Sequence, residues 1–233
     1  MTASDDVSEV TIQPHNELAY AAHYPTKVIF FCETPSRPGC GGESAITRNK
    51  DVKENLAKDV KEKFKKLGIR YHRYLPCKEQ ESRYTSWQKV FWTDNKDDVV
   101  KYMDKFNNPY SWDEKNALSY SYLRPAFIRH PTTGESIWFN HAHAHHSSRL
   151  REHPSFADMQ DEPHGKFAYH VTYGDGSEVE LETIQHIRDV LWQQTVGFQM
   201  QKGDVIFFDN LTTMHARLGF TGKRKLLASF AED

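Results

Sequence analysis

The chain has 233 residues, 38% hydrophobic and 13% aromatic, which suffices for one sizeable core, so a single domain over 1–233 is expected. Its formal net charge of -2 supplies no basic field for nucleic acid or an anionic membrane. Cys32, Cys40 and Cys77 are odd in number and lack paired metal spacing, which argues against a disulfide framework or a structural zinc site and for a reducing compartment.

Met1–Val10 is acidic and polar, with neither a basic n-region nor an apolar h-region. No window reaches the roughly 18 consecutive apolar residues of a membrane span, so an intracellular, cytoplasmic protein, with no membrane partner, is expected. Pro14-His15-Asn16-Glu17 follows. On an extended segment, side chains at i and i+2 leave from one face, so a strand here would let His15 and Glu17 converge. Lys27–Cys32 reads as a buried strand, and Pro35–Gly42, with two prolines and three glycines, as a loop in close approach to something. A helix is expected from about Asp51 to Leu67, stopped by Gly68, its lysines and acids forming a solvated face.

Ile69–Leu75 alternates like a strand, Pro76–Ser86 is a polar loop, and Trp87–Trp92 is aromatic-rich. Asp97–Phe106 has a helical apolar stripe. Tyr120–Arg129 and Ser136–Phe139 bracket the turn His130–Gly134, a hairpin ending at Asn140. The run His141-Ala142-His143-Ala144-His145-His146 would share a face on a strand, a geometry zinc tolerates, yet no second cluster of acids or cysteines adjoins it in sequence, and no special role is assigned. His23, His72, His130, His153, His164, His170 and His186 are read as structural or surface residues.

Ser147–Lys166 is polar, Tyr169–Tyr173 is a strand followed by the turn Gly174-Asp175-Gly176, and a second helix is expected from Glu182 to about Thr195. In Gly203–Arg224, Val205–Phe208 is a buried strand that Asp209-Asn210 ends, delivering His215 just past it. Many short strands, two helices and two far-separated histidine segments fit a mainly β chain with flanking helices, a jelly-roll (double-stranded β-helix) whose mouth holds a ligand.

Two histidines and one carboxylate with open positions opposite them are the ligand set of non-haem Fe(II) oxygenases. Four stretches in order, His15-Asn16-Glu17, Gly41-Gly42-Glu43-Ser44, Ile137-Trp138-Phe139-Asn140 and Gly203–Arg224, resemble the taurine dioxygenase and clavaminate synthase-like group of Fe(II)/2-oxoglutarate oxygenases. The resemblance implies a cupin-like barrel, with His15, Glu17 and His215 as catalytic metal ligands. It further implies Arg224 as the grip on the distal carboxylate of 2-oxoglutarate and Ser44 as a second contact to it. Arg217 is the alternative anion binder, and Phe139 and Asn140 are candidate substrate contacts.

An unpaired carboxylate in a low-dielectric pocket is costly, and arginine is the permanently charged, bidentate partner that relieves it. The implied activity is that of an oxidoreductase using Fe(II), 2-oxoglutarate and dioxygen to hydroxylate or desaturate a small acid or amino-acid-like substrate, with release of succinate and CO2. Glu17 fills the coordination place that related halogenases leave for chloride, which favours hydroxylation or desaturation. His15 also lies nearer the start than the family's leading segment implies, as in a short form or a fragment. The alternatives are a catalytically silent metal-binding relative and a zinc hydrolase, which would act without 2-oxoglutarate.

Overall fold

The structure, a computed structural model, describes residues 7–232, so the first six residues of the N-terminal segment lie outside it. Strands β1 (Ile12–His15), β2 (Lys27–Thr34) and β3 (Ser44–Arg48) lead into helices α1 (Asn49–Asn55) and α2 (Lys58–Leu67). There follow β4 (Ile69–Leu75), α3 (Trp87–Phe91), α4 (Lys96–Lys105), β5 (Tyr110–Trp112), β6 (Leu118–Arg124) and the hairpin β7 (Phe127–Arg129) and β8 (Ser136–Trp138). Two short turns of helix, α5 (Ala142–His145) and α6 (Ser148–Arg151), precede β9 (Tyr169–Tyr173) and α7 (Leu181–Gln193). The chain ends with β10 (Thr195–Phe198), β11 (Val205–Asp209), β12 (Thr213–Arg217) and β13 (Lys225–Ala231). Among the described residues no helix is long and apolar enough to cross a membrane.

These elements fall into two units. The first comprises residues 7–66, Pro125–Ala144 and 182–232, and the second Leu67–Arg124 and His145–Leu181. In the first, a four-stranded sheet of order β1-β12-β3-β10 and a three-stranded sheet of order β11-β2-β13 form the jelly-roll core. The second is a four-stranded antiparallel sheet, β5-β6-β4-β9, in which β4 pairs with β6 from Ile69↔Arg124 to Leu75↔Leu118. Leu75, Trp87, Val99, Met103 and Leu118 make its apolar cluster beside α3 and α4.

Several expectations are corrected. The single helix 51–67 is two, because Leu56 turns extended (φ -64, ψ 141) and buries its side chain. The Ala57 N–H donates instead to His186 Nε2 at 3.0 Å. Tyr120–Arg129 is likewise interrupted at Pro125, which has no N–H to give a ladder. The runs 27–32 and 205–208 are buried on one face only: Val28 and Cys32 are inside, whereas Val205 and Phe207 are more than 60% exposed. His215 stands within β12, the strand after the one expected to deliver it. The histidine run is a helical turn rather than a strand, so its alternate side chains do not share one sheet face.

Candidate metal centre

β1 and β12 pair antiparallel with Ile12 opposite Arg217 and His15 opposite His215. The two residues between Ile12 and His15 therefore face the single residue between His215 and Arg217, a β-bulge. That extra residue re-aims the end of β1 and sets His15 directly across from His215, their ring centroids 4.2 Å apart. β12 is fixed on its other side by β3, where His215 faces Ile46.

Glu17 arrives by a different route from the i, i+2 strand geometry expected for it. β1 stops at His15, and Glu17 sits in a turn whose next residue, Leu18, has φ 55. A left-handed leucine persists only where its surroundings over-determine it. Here Asn210 does so: the Glu17 N–H donates to Asn210 Oδ1 (2.7 Å), and Asn210 Nδ2 donates to Glu17 O (3.0 Å) and Pro25 O (2.7 Å). Asn16 Nδ2 in turn donates to Asn210 O (2.5 Å), and Asn49 Nδ2 donates to Asn16 Oδ1 (2.7 Å) and Trp138 O (2.6 Å). All three asparagines are buried, so each of these bonds is made without competition from water.

His141 and His143 complete the support. His141 Nε2 bonds Asn16 O (2.7 Å) and His143 Nε2 bonds Pro14 O (2.8 Å), so imidazoles grip the carbonyls on both sides of His15. A carbonyl only accepts, so Nε2 carries the proton in each ring. Burial is the main reason that the pKa of His141 is pushed down to about 3 and that of His143 well below its ordinary value, with the neighbouring imidazoles adding to it. His15 Nδ1 is held by Gln13 O at 2.8 Å, which leaves Nε2 as its ligand atom.

The ligand atoms of His15, Glu17 and His215 all lie within 4.8 Å of one another. His215 Nε2 and Glu17 Oε2 are 3.7 Å apart, beyond a hydrogen bond yet close enough to share an ion. Burial lowers the pKa of His215 well below the ordinary value, which keeps the imidazole neutral and able to coordinate. Two imidazoles and one carboxylate fit an iron(II) facial set.

The three candidates line a cavity of about 330 Å³ between the two sheets of the first unit, with Phe30 and Phe208 against His215. Ser44, Arg217 and Arg224 line the same cavity. Arg224 Nε donates to Gly42 O (2.9 Å) and Nη2 to Ser44 Oγ (3.1 Å). Gly42 (φ +79) permits this approach, because a Cβ there would stand 2.9 Å from Arg224 Cδ. Burial first, then the charge of Arg217, pushes the Arg224 pKa down to about 10, so it remains a cation at neutral pH. A buried pair of like charges fits an anionic co-substrate, whose carboxylate would relieve it. Arg217 spends Nη2 on Val7 O and Val10 O, both at 2.7 Å, and so also pins the segment leading into β1.

Phe139 and Asn140, candidates for substrate contact, do not line this cavity. Phe139 is 1% exposed and packs against Tyr24, their rings 4.7 Å apart. Asn140 locks the chain, its Nδ2 donating to Ala126 O and its Oδ1 accepting from Ala142 N, both at 3.0 Å. The sequence does not foretell the supporting roles of Asn49, Asn210, His141 and His143, although the two histidines belong to the run to which no special role is assigned and Asn210 reads as a strand end. The one signal for the asparagines is a polar side chain beside a strand end, which reads equally as turn formation, and for the histidines their alternation, which reads equally as a metal site.

Comparison with known proteins places this geometry. Residues 2–229 match the family described as "Taurine catabolism dioxygenase TauD, TfdA family". The chain is 31% identical over 223 residues to the dapdiamide synthesis protein DdaC of Enterobacter agglomerans, covering 96% of this chain and 66% of that one. It is 26% identical over 237 residues to a clavaminate synthase-like protein of Arabidopsis thaliana, covering 99% and 68%. Among solved structures, asparagine oxygenase in complex with Fe(II), 3-hydroxyasparagine and succinate superposes with a TM-score of 0.54 at 14% identity, over 96% of this chain and 50% of that one. This last likeness is one of fold. The chain spans about two thirds of the length of the curated relatives it matches and half that of asparagine oxygenase.

Proposed function

This chain belongs to the taurine catabolism dioxygenase TauD, TfdA family, and from that premise we propose that it is an Fe(II)- and 2-oxoglutarate-dependent oxygenase. Its reaction is the hydroxylation or desaturation of a small acid or amino-acid-like molecule, with release of succinate and CO2. The observation that carries this reading is the convergence of His15, Glu17 and His215 on one cavity that also holds Arg224 and Ser44.

The iron, when bound with 2-oxoglutarate, supplies oxidation of a C–H bond by dioxygen. The chain's own residues prepare for that chemistry. His15, Glu17 and His215 would hold the metal, a set of two imidazoles and one carboxylate that suits iron(II). Arg224 takes the far carboxylate of the co-substrate as a charge-assisted pair, its remaining nitrogens already oriented by Gly42 O and Ser44 Oγ. Phe30 and Phe208 exclude water beside His215, which strengthens every charge interaction within the cavity. Glu17 occupies the place that a coordinated chloride would need, which supports hydroxylation or desaturation over halogenation.

A substrate of amino-acid type agrees with the asparagine of asparagine oxygenase and with a cavity of about 330 Å³ that carries two cations. The test is an anaerobic difference spectrum of the protein with Fe(II) and 2-oxoglutarate. A weak visible charge-transfer band is expected, followed by succinate release once oxygen and candidate amino acids are added. Absence of the band in folded, iron-loaded protein would refute the reading, and turnover with Zn²⁺ alone would replace it with a hydrolase.

A further inference from the structure

The second unit holds its own histidine and carboxylate cluster, assembled from three separate segments. His146 closes the histidine run just before α6, His170 lies on β9, and Glu178 follows the turn at Gly176. β9 is fixed by β4, which sets His170 opposite His72. Glu178 is placed by its bridge to Thr172, two residues beyond His170 and so on the same face. One ligand atom from each of His146, His170 and Glu178 lies within 4.8 Å of the others.

Two features separate this group from an ordinary histidine–glutamate pair. His170 Nε2 does meet Glu178 Oε2 at 2.9 Å, which accounts for two members. His146 is a third, 4% exposed, its ring centroid 4.8 Å from that of His170. Each buried imidazole also has Nδ1 held by a neighbouring serine through both its hydroxyl and its backbone N–H, which donates to the ring: His146 by Ser148 (Oγ 2.8 Å, N 3.3 Å) and His170 by Ser147 (Oγ 3.0 Å, N 3.3 Å). These contacts fix each ring with Nε2 turned towards the other members; in the metal-free chain Nε2 carries the proton, and an ion there would take that proton's place as Nδ1–H turns to the serine hydroxyl. Ser147 Oγ further meets His164 Nδ1 at 2.5 Å, and His164 stacks on His170 with centroids 4.2 Å apart, walling the group on another side.

We propose that His146, His170 and Glu178 form a second divalent metal site, one that takes zinc and ties together the chain between residues 146 and 170. Two imidazoles and one carboxylate are a zinc donor set, with water as the fourth ligand, admitted at Glu178, whose side chain is 61% exposed. The three residues line neither the cavity of the first unit nor the one of about 290 Å³ that His72 and His164 border beside them. What the site would do is close the chain between residues 146 and 170. The two short 3-10 turns within that stretch, Pro154–Met159 and His164–Lys166, bury no residue of their own, so between the buried Leu150 and Phe167 the segment has little apolar packing to hold it.

The test titrates the full, metal-stripped chain with Zn²⁺ against a chromophoric chelator, alongside Glu17→Ala, which disables the cavity site, and Glu17→Ala combined with Glu178→Gln or His146→Asn. Glu17→Ala is expected to retain one tight equivalent of zinc, and that equivalent is expected to protect 147–169 from limited proteolysis. Adding Glu178→Gln, a change at an exposed side chain, should weaken it by at least about tenfold, the low end of what even outer-shell losses cost. Loss of all tight zinc binding in Glu17→Ala overturns the proposal, as does an affinity unchanged by both Glu178→Gln and His146→Asn. Neither result depends on 2-oxoglutarate turnover, so the oxygenase reading stands or falls separately.

Discussion

The two histidine and carboxylate groups of this chain use the same donors, yet their surroundings differ. In the first unit the carboxylate Glu17 is clamped through its own backbone by buried Asn210, and the group opens on a cavity with Arg224 and Arg217. In the second, Glu178 is an exposed side chain, the imidazoles are held by serines, and the neighbouring cavity of about 290 Å³ is lined by His72 and His164 rather than by the three donors and holds one arginine, Arg73. Donor identity alone therefore does not separate a reactive centre from a clip. The run His141–His146 makes the same point within one segment, since His141 and His143 brace the first group while His146 is a donor to the second.

The sharpest way to break this contrast is Glu17→Ala. It should lower succinate formation by more than about 100-fold, beyond what outer-shell changes cost, while far-ultraviolet circular dichroism stays native. Retention of turnover would mean that the first group is no more a reactive centre than the second. Asn210→Ala comes next. Removing it strands the Glu17 N–H and the Pro25 carbonyl, at a cost of about 1–3 kcal/mol in unfolding free energy, and lets the ligand turn relax. Iron affinity should fall by roughly 10–100-fold, measured by chelator competition, with zinc binding in the second unit unchanged. Arg224→Lys should act more narrowly, raising the 2-oxoglutarate concentration for half-saturation by about tenfold while iron affinity holds, because an ammonium cannot keep Gly42 O, Ser44 Oγ and a carboxylate in one plane.

How much of this could be read beforehand follows from where each signal lies. His15, Glu17, His215 and Arg224 stand within short motifs whose order along the chain is informative, and the strands 69–75 and 169–173 coincide with their alternation. The clamps are another matter. Asn210 acts on Glu17 across 193 positions and Asn49 on Asn16 across 33, and no local pattern marks an asparagine as the partner of a distant peptide group. Phe139 and Asn140 misled for the converse reason: they sit in a motif that resembles the family's, yet packing and a turn consume both side chains. The broken helix at Leu56 was hidden because its apolar spacing continues through the break, and only the tertiary partner His186 reveals it.

The smallest effect concerns the braces alone. His143 is buried as a neutral donor, its pKa well below the ordinary 6.5, whereas in the unfolded chain it titrates near that value. Below pH 6.5 the unfolded state therefore binds a proton that the folded state refuses, and stability falls as the pH drops. By pH 6 the loss is about 1 kcal/mol for such a group. Glutamine at this position does not titrate, and its amide can donate to Pro14 O as the imidazole does. In urea unfolding monitored for the first unit, His143→Gln should thus lose about that much less than the wild type between pH 7.5 and pH 6. An identical loss in both proteins would mean that His143 takes up a proton in the folded state, and a charged imidazole against Pro14 O would then hold the His15 strand differently from the neutral one described.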